Sequence, residues 1–322
     1  MKKVTVVIPN YNGMKFIEEC LNAILNQDAD TPDYQVLVVD NGSEDGSLEL
    51  IHSQFPKVKT IALNSNTGFC HAVNVGIRAA DTPYVLLLNN DTRADARFVR
   101  SLYDAIEDKP SAFSVSGKML MWDNPERIDD AGDRYCVLGW AYARGKGKPA
   151  ADYGKASEIF SACGGAAIYR KSILDQIGLF DEAHFAYLED LDLGYRAKLY
   201  GYKNYYEPSA AVIHYGSGTS GSRYNSWKTS LAAANSIYVI AKNMPLLQIL
   251  WNLPFLVLGF FLKFLFFCRK GMGMIYVKGL RDGFIKSFAN SRHPRTGRGK
   301  LGNCFAIQWQ LYLNTLRILK KY

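Results

Sequence analysis

The run Val85-Leu86-Leu87-Leu88-Asn89-Asn90-Asp91-Thr92 decides how this chain is read. Four apolar residues predict a buried strand, and the strand ends in two amides, a carboxylate and a hydroxyl. At the carboxyl end of a parallel strand such side chains have no core to join. They are placed to hold a cation and the phosphates bound to it. A plain turn is the competing reading, because Asn and Asp hydrogen-bond their own backbone. The flanking sequence decides between the two.

Upstream, Val4 to Ile8, Gln35 to Val39 and Lys59 to Leu63 have strand patterns, and so does Tyr84 to Leu88 itself. Lys15 to Asn26, Ser47 to Gln54 and Cys70 to Ala80 have helical apolar spacing. Strands alternating with amphipathic helices predict βαβ units: an α/β fold with a mostly parallel sheet flanked by helices. Ligands bind outside the carboxyl ends of such strands. Strand one ends in Pro9-Asn10-Tyr11-Asn12-Gly13 and strand two in Asp40-Asn41-Gly42-Ser43. Asp40 can accept from a nucleobase N–H or a ribose hydroxyl, and Tyr11 offers a ring for stacking; as a plain alternative, Asp40 caps the next helix. Strand one lacks the GxGxxG of dinucleotide enzymes, and no GxxxxGK[ST] occurs. Phosphates bound without a glycine cradle need another source of positive charge, and a divalent cation at Asp91 supplies it.

A second cluster is Phe185-Ala186-Tyr187-Leu188-Glu189-Asp190-Leu191-Asp192-Leu193-Gly194-Tyr195-Arg196. On a helix Glu189 and Asp192 share one face and Asp190 points elsewhere. A carboxylate held rigidly at a helix start is a candidate general base. Capping near the positive end of the helix dipole explains one such acid more comfortably than three. Further on stands His214, a residue type that ligates metals, although a lone histidine is more often structural.

The chain has 322 residues, 48% hydrophobic and 21% charged, an ordinary globular balance with room for one large or two smaller domains. From Lys263 to Tyr322 there are 13 Lys plus Arg against Asp282 alone; this +12 leaves −4 of the net +8 for the rest. The preceding stretch, Leu246 to Cys268, is long enough to span a membrane. Gln248, Asn252, Pro254 and Lys263 interrupt it, which predicts a broken or in-plane helix. A basic tail beside an apolar segment favours an anionic membrane surface over nucleic acid. Six scattered cysteines without a CxxC pair argue against a zinc site or a disulfide framework and suit a reducing compartment. The N-terminal apolar run is too short for a signal peptide, so the expected location is the cytoplasmic face of the cell membrane. Residues 122–157, rich in Gly, Asp and Lys, predict a long functional loop, and regular patterns resume at Ala166 to Ile177. Gly216 to Ser222 marks a domain end, dividing the chain into a catalytic domain at 1–222 and a helical, basic, membrane-associating region at 223–322.

Together these motifs resemble glycosyltransferase family 2, the GT-A fold enzymes, and most of all its bacterial rhamnosyltransferase branch. The matching pieces are Val7-Ile8-Pro9-Asn10-Tyr11-Asn12, Val38-Val39-Asp40-Asn41-Gly42-Ser43, and Asn66-Thr67-Gly68-Phe69 leading to Ala72, Asn74 and Gly76. Leu87 to Asp91, Gly164 to Ala167 with Arg170, Gly178 to Glu182, Glu189 to Leu193 and His214 complete the set, which covers residues 1 to about 245. The resemblance implies that Pro9, Asn10, Tyr11, Asp40, Asn66, Gly68, Asn74 and Asn90 bind a nucleotide-diphosphate sugar. It implies that Asn89, Asp91 and His214 hold Mn²⁺ or Mg²⁺, with Asn where the family often has an acid. It makes Asp190 the catalytic base of an inverting transfer, with Glu189 and Asp192 as secondary or acceptor-side acids. The implied donor is dTDP-rhamnose, then a UDP-hexose or UDP-galactofuranose, and the acceptor a glycan or lipid-linked sugar of the bacterial surface. A non-catalytic sugar-nucleotide-binding scaffold would lack the base. A nucleotidyltransferase would show basic residues near the strand-one loop, where only Lys15 stands.

Overall fold

In the computed structural model, residues 2–216, 224–290 and 301–319 are described. The predicted glycine- and serine-rich boundary at 216–222 and much of the basic tail fall largely outside them. The strands are β1 (Val4–Asn10), β2 (Tyr34–Asp40), β3 (Lys59–Ala62), β4 (Tyr84–Leu88), β5 (Thr92–Ala94) and β6 (Ala112–Met121). They continue as β7 (Ile128–Asp130), β8 (Asp133–Tyr135), β9 (Ala141–Ala143), β10 (Ser157–Ile159), β11 (Ala166–Arg170) and β12 (Lys203–His214). The helices are α1 (Ile17–Leu25), α2 (Ser47–Gln54), α3 (Phe69–Ala79), α4 (Phe98–Glu107), α5 (Lys171–Ile177) and α6 (Glu189–Leu199), then α7 (Ser226–Asn243), α8 (Leu246–Arg269), α9 (Gly273–Ala289) and α10 (Leu301–Leu319).

The main sheet runs β10-β12-β6-β11-β4-β1-β2-β3. β4, β1, β2 and β3 form one parallel run; β11 enters antiparallel between β4 and β6, and β6 pairs parallel with β12 beyond it. The fold is thus mixed α/β, with the expected parallel half at the N-terminus. Central strands are buried on both faces, as helix-covered parallel strands must be. Val4, Val6 and Ile8 of β1 join the core under α1, α2 and α4, while Val7 faces Val73 and Ile77 of α3. Gly76 of α3 meets β1 closely; a Cβ there would overlap the Val7 side chain.

A third core lies outside the sheet. Tyr135 and Val137, Leu191 and Tyr195 of α6, Val239 and Ile240 of α7, Leu256 of α8, and Ile307 and Leu311 of α10 pack together. The C-terminal helices therefore share apolar packing with α6, the helix that carries the three acids. α7 and α9 are pressed together, with Gly279 and Gly283 lying against the backbone at Ser230 and Ala234.

The expected break in the apolar segment is absent. α8 is continuous over 24 residues with Pro254 inside it. The polar interruptions face inward: Gln248 accepts from Tyr195 Oη at 2.8 Å, and Gln248 and Asn252 donate to Gln308 of α10 at 2.9 and 2.8 Å. Pairing across this interface removes the cost of burying the amides. The remaining faces of α8 are exposed and apolar, including Leu247, Leu250, Trp251, Val257 and Phe261. α8 is the one helix among the described residues long and apolar enough to cross a membrane.

Candidate active site

The carboxyl ends of β1, β2 and β4 open onto a cavity of about 620 Å³. One wall is made by Pro9, Asn10, Tyr11 and Asn41, joined by Asn66 and Gly68 and by Asn89, Asn90 and Asp91. The amides there are set by an internal ladder. Asn90 Nδ2 donates to Asn10 Oδ1, and Asn10 Nδ2 donates to Asp40 Oδ1, both at 2.8 Å.

β12 brings His214 to this wall. It pairs antiparallel with β5 in the register His214 to Thr92, which sets the imidazole beside Asp91. His214 Nε2 stands 3.3 Å from Asp91 Oδ1, and His214 Nδ1 lies 2.8 Å from Asp129 Oδ2. Lys146 pairs with the other Asp129 oxygen. Burial pulls the imidazole down, but its bonds to Asp129 and Asp91 outweigh that and raise it to about 9. The site is thus shaped for positive charge between two carboxylates. The donor set suits a divalent cation: two ligand atoms about 2.1 Å from one ion at right angles are about 3 Å apart. No group of three or more His, Cys, Asp or Glu side chains able to hold a metal occurs among the described residues. Further ligand atoms would come from the Asn89 amide, from water or from a bound anion.

The opposite wall carries the acids. Phe185, Tyr187 and Leu188 have φ of 63°, 67° and 66°, left-handed values that non-glycine residues avoid. This backbone delivers Glu189 and Asp190 to the cavity. Asp190 Oδ1 and Glu189 Oε2 are buried with no hydrogen-bond partner among the described residues. Burial first, and the neighbouring Glu189 next, push Asp190 well above the usual carboxylate range. Gly164 faces it, and a Cβ there would stand 2.7 Å from Asp190 Oδ1.

α7 holds the left-handed segment in place. Asn235 Nδ2 points at three of its carbonyls: His184 at 3.0 Å, Ala186 at 2.9 Å and Tyr187 at 2.8 Å. Its Oδ1 accepts from Lys286 Nζ of α9 at 2.7 Å. A few residues along, Asp192 is ion-paired with Arg196 at 2.8 Å and Lys242 at 3.0 Å, and Asn243 donates to it at 2.7 Å.

The sequence profile of Glycosyl transferase family 2 matches residues 5–178. The chain belongs to this family. It is similar to the N-acetylglucosaminyl-diphospho-decaprenol L-rhamnosyltransferase of Mycobacterium tuberculosis, 28% identical over 214 residues, 58% of this chain and 68% of that one. It is also similar to the poly-beta-1,6-N-acetyl-D-glucosamine synthase of Staphylococcus epidermidis, 24% identical over 64% of this chain and 48% of that one. Among solved structures, GalNAc-T7 with UDP, GalNAc and Mn²⁺ superposes with a TM-score of 0.60 at 13% identity, covering 75% of this chain and 48% of that one. S. aureus TarS 1-349 gives 0.51 at 18%, covering 95% and 77%. These two show the shared fold. The protein is a glycosyltransferase.

In this glycosyltransferase three expected site residues stand elsewhere. Asn74 is buried in α3; it donates to Phe180 O at 2.8 Å and Glu182 Oε1 at 2.9 Å and accepts from Phe180 N at 3.1 Å. It fastens α3 to the 180–182 turn and does not line the cavity. Asp40 is 1% exposed, and its oxygens accept from Asn10 and from Ser43 N at 3.0 Å, so it shapes the wall from behind. Asp192 is fully buried in its ion pairs and faces α7, outside the cavity lining. Conversely, Asp129, Asp133 and Lys146 of the 122–157 segment line the cavity, and so do Trp227 and Lys228 of α7. Asn235 sits behind it.

Removing the Asn235 amide should loosen the acid-bearing loop alone. In Asn235→Ala, amide hydrogen exchange over Phe185 to Leu191 should speed up about tenfold to a hundredfold, matching about 1–3 kcal/mol of lost hydrogen bonding. Exchange in β1 and β4 should not change. Unaltered exchange in the loop would show that its conformation does not depend on α7.

Proposed function

We propose that this glycosyltransferase performs a metal-dependent inverting transfer from a nucleotide-diphosphate sugar to a glycan or lipid-linked acceptor in bacterial surface polysaccharide synthesis. The observation that carries the reading is one cavity with Asp91 and His214 on one wall and, on the other, Asp190, whose Oδ1 has no hydrogen-bond partner among the described residues. Similarity to a rhamnosyltransferase supports dTDP-rhamnose as the first donor, ahead of a UDP-hexose or UDP-galactofuranose.

The chemistry divides between the walls. Tyr11, Asn41, Asn66 and Gly68 receive the nucleotide, with Asp40 fixing Asn10 from behind. Asp91 and His214, with Asn89 beside them, would hold Mn²⁺ or Mg²⁺, which supplies positive charge to the diphosphate. Asp129 orients His214 through Nδ1, so that Nε2 faces Asp91. Asp190 accepts the proton of an acceptor hydroxyl while that oxygen bonds to the anomeric carbon. The bond from that carbon to the phosphate oxygen breaks on the opposite side, and the electron pair leaves on the nucleoside diphosphate. A dry carboxylate with raised proton affinity suits this work, because a stronger base takes the proton more readily.

The apolar faces of α8, α9 and α10 are read as a membrane-associating surface at the cytoplasmic side, flanked by Arg269, Lys270, Lys278 and Arg281. Deleting these helices is a poor test, since it would strip Tyr135, Leu191 and Tyr195 of packing and remove Lys286 from Asn235. Substitutions at exposed positions are cleaner.

Asp190→Asn keeps the shape of the side chain and removes its basicity. It should lower kcat about a hundredfold or more, while the thermal shift given by nucleotide sugars stays near that of the wild type. Near-normal kcat would move the base to Glu189. Asp91→Asn should remove most activity, and excess EDTA should do the same to the wild type, with recovery on adding Mn²⁺ or Mg²⁺; full turnover in EDTA would refute the metal. The full-length protein should bind anionic liposomes better than neutral ones, and less as salt rises. The double variant Leu250→Glu, Phe261→Glu should lose most of that binding while keeping the donor thermal shift. Equal liposome binding by variant and wild type would place the contact elsewhere.

A further inference from the structure

Resting on the glycosyltransferase reading of Asp190, the structure assigns a subsite for the acceptor. We propose that Trp227, cornered by Tyr187 and Phe185, stacks against the terminal pyranose of the acceptor, that Lys228 faces a phosphate linking this sugar to a lipid, and that the lipid runs along α8.

The argument starts from where space remains. Donor-side residues occupy the strand-end wall, so a hydroxyl that gives its proton to Asp190 arrives from the other side. That side is closed by α7, whose Trp227, Lys228 and Ala232 line the cavity beside Phe185 and Tyr187. The three rings form a corner: Trp227 meets Phe185 edge-on with centroids 6.2 Å apart and Tyr187 at 5.8 Å. Trp227 is 49% exposed, so much of its surface is not covered by protein. A pyranose presents a face of C–H groups and a rim of hydroxyls. An indole face covers the former and leaves the latter free to hydrogen-bond, as an aromatic side chain does at any half-wet interface. The left-handed backbone at Tyr187 places its ring in this corner two and three residues before the acids, so a sugar resting there lies next to Asp190.

The class of acceptor follows from the neighbours. Lys228 lines the same wall, and a lysine there favours an anionic group such as a phosphate over a neutral glycan. Tyr224, one turn earlier, packs on Phe266 and Phe267 of α8 at 5.6 and 6.4 Å, and Lys270 lies over its ring at 5.8 Å. Aromatic contacts thus join the residue just before α7, the helix that carries Trp227, to Phe266 and Phe267 of α8, with a second cation beside them. A sugar, a phosphate and an apolar chain, in that order, match what the cavity, Lys228 and α8 present.

Two synthetic probes test the assignment: N-acetylglucosaminyl diphosphate carrying a long alkyl chain, and an alkyl N-acetylglucosaminide with no phosphate. Binding is titrated on the full-length protein in detergent, with the nucleotide-sugar thermal shift measured in parallel. The wild type should bind the diphosphate probe more tightly than the other. Trp227→Ala should weaken both about tenfold, and Trp227→Phe should restore most of the loss. Lys228→Met should weaken the diphosphate probe and leave the phosphate-free one unchanged. The donor thermal shift should persist in all variants. Probe binding that ignores Trp227→Ala, or a wild type that binds neither probe, overturns the subsite. If the donor shift is absent from the wild type as well, the fault lies with the glycosyltransferase reading beneath it. A Lys228→Met effect of equal size on both probes would overturn the phosphate contact.

Discussion

The amide of Asn235 is the contact on which the site depends. Three of the four residues before Glu189 hold left-handed backbone, a conformation that costs about 1–2 kcal/mol per residue for L-amino acids. No glycine stands there to lower that cost. The segment is braced from α7, where one side chain meets three of its carbonyls. Without that brace the segment would relax toward ordinary helix or extended geometry, and Glu189 and Asp190 would turn from the cavity. The fold therefore uses a buried polar side chain to hold two cavity-lining carboxylates in place.

The surrounding charges divide into satisfied and unsatisfied groups. Asp192 is compensated by Arg196, Lys242 and Asn243 and is held far below the usual carboxylate range despite its burial. Asp129 is likewise held down by His214 and Lys146 against the opposing effect of burial. Glu189 and Asp190 have no cation and are pushed the other way. Acids a few residues apart thus behave oppositely because one faces α7 and the others face the cavity. The same division explains why α8, α9 and α10 are more than an attachment. Through Lys286 they reach Asn235, and through Leu256, Ile307 and Leu311 they support α6. The packing of these helices therefore bears on the acid-bearing loop.

Much of this was legible from local pattern. The β4 run and the Asn89-Asn90-Asp91 cluster are contiguous, and strand-then-polar spacing places the cluster at the carboxyl end of a strand without further information. The acid cluster at α6 is contiguous too. The residues that escaped are those whose partners are distant in sequence. Asp129 meets His214, itself named from the sequence, across 85 residues, and Asn235 meets His184 across 51. No spacing rule couples such positions. Asn74, Asp40 and Asp192 mislead for the complementary reason: their types suit ligand binding, but burial with full hydrogen bonding commits them to the scaffold. Gln248 and Asn252 read as breaks in an apolar helix, whereas they form its inner face against Gln308.

The pH dependence of kcat tests the central claim most directly, since the account makes Asp190, a carboxylate without an ion-pair partner among the described residues, the base. The base works only when ionised, so the rate must rise with pH through its ionisation. Burial and Glu189 set that rise well above the range near 4 of a solvated aspartate. In Glu189→Gln, loss of the neighbouring charge should move the rise to lower pH. A rise near pH 4, or one that Glu189→Gln leaves in place, would contradict the account.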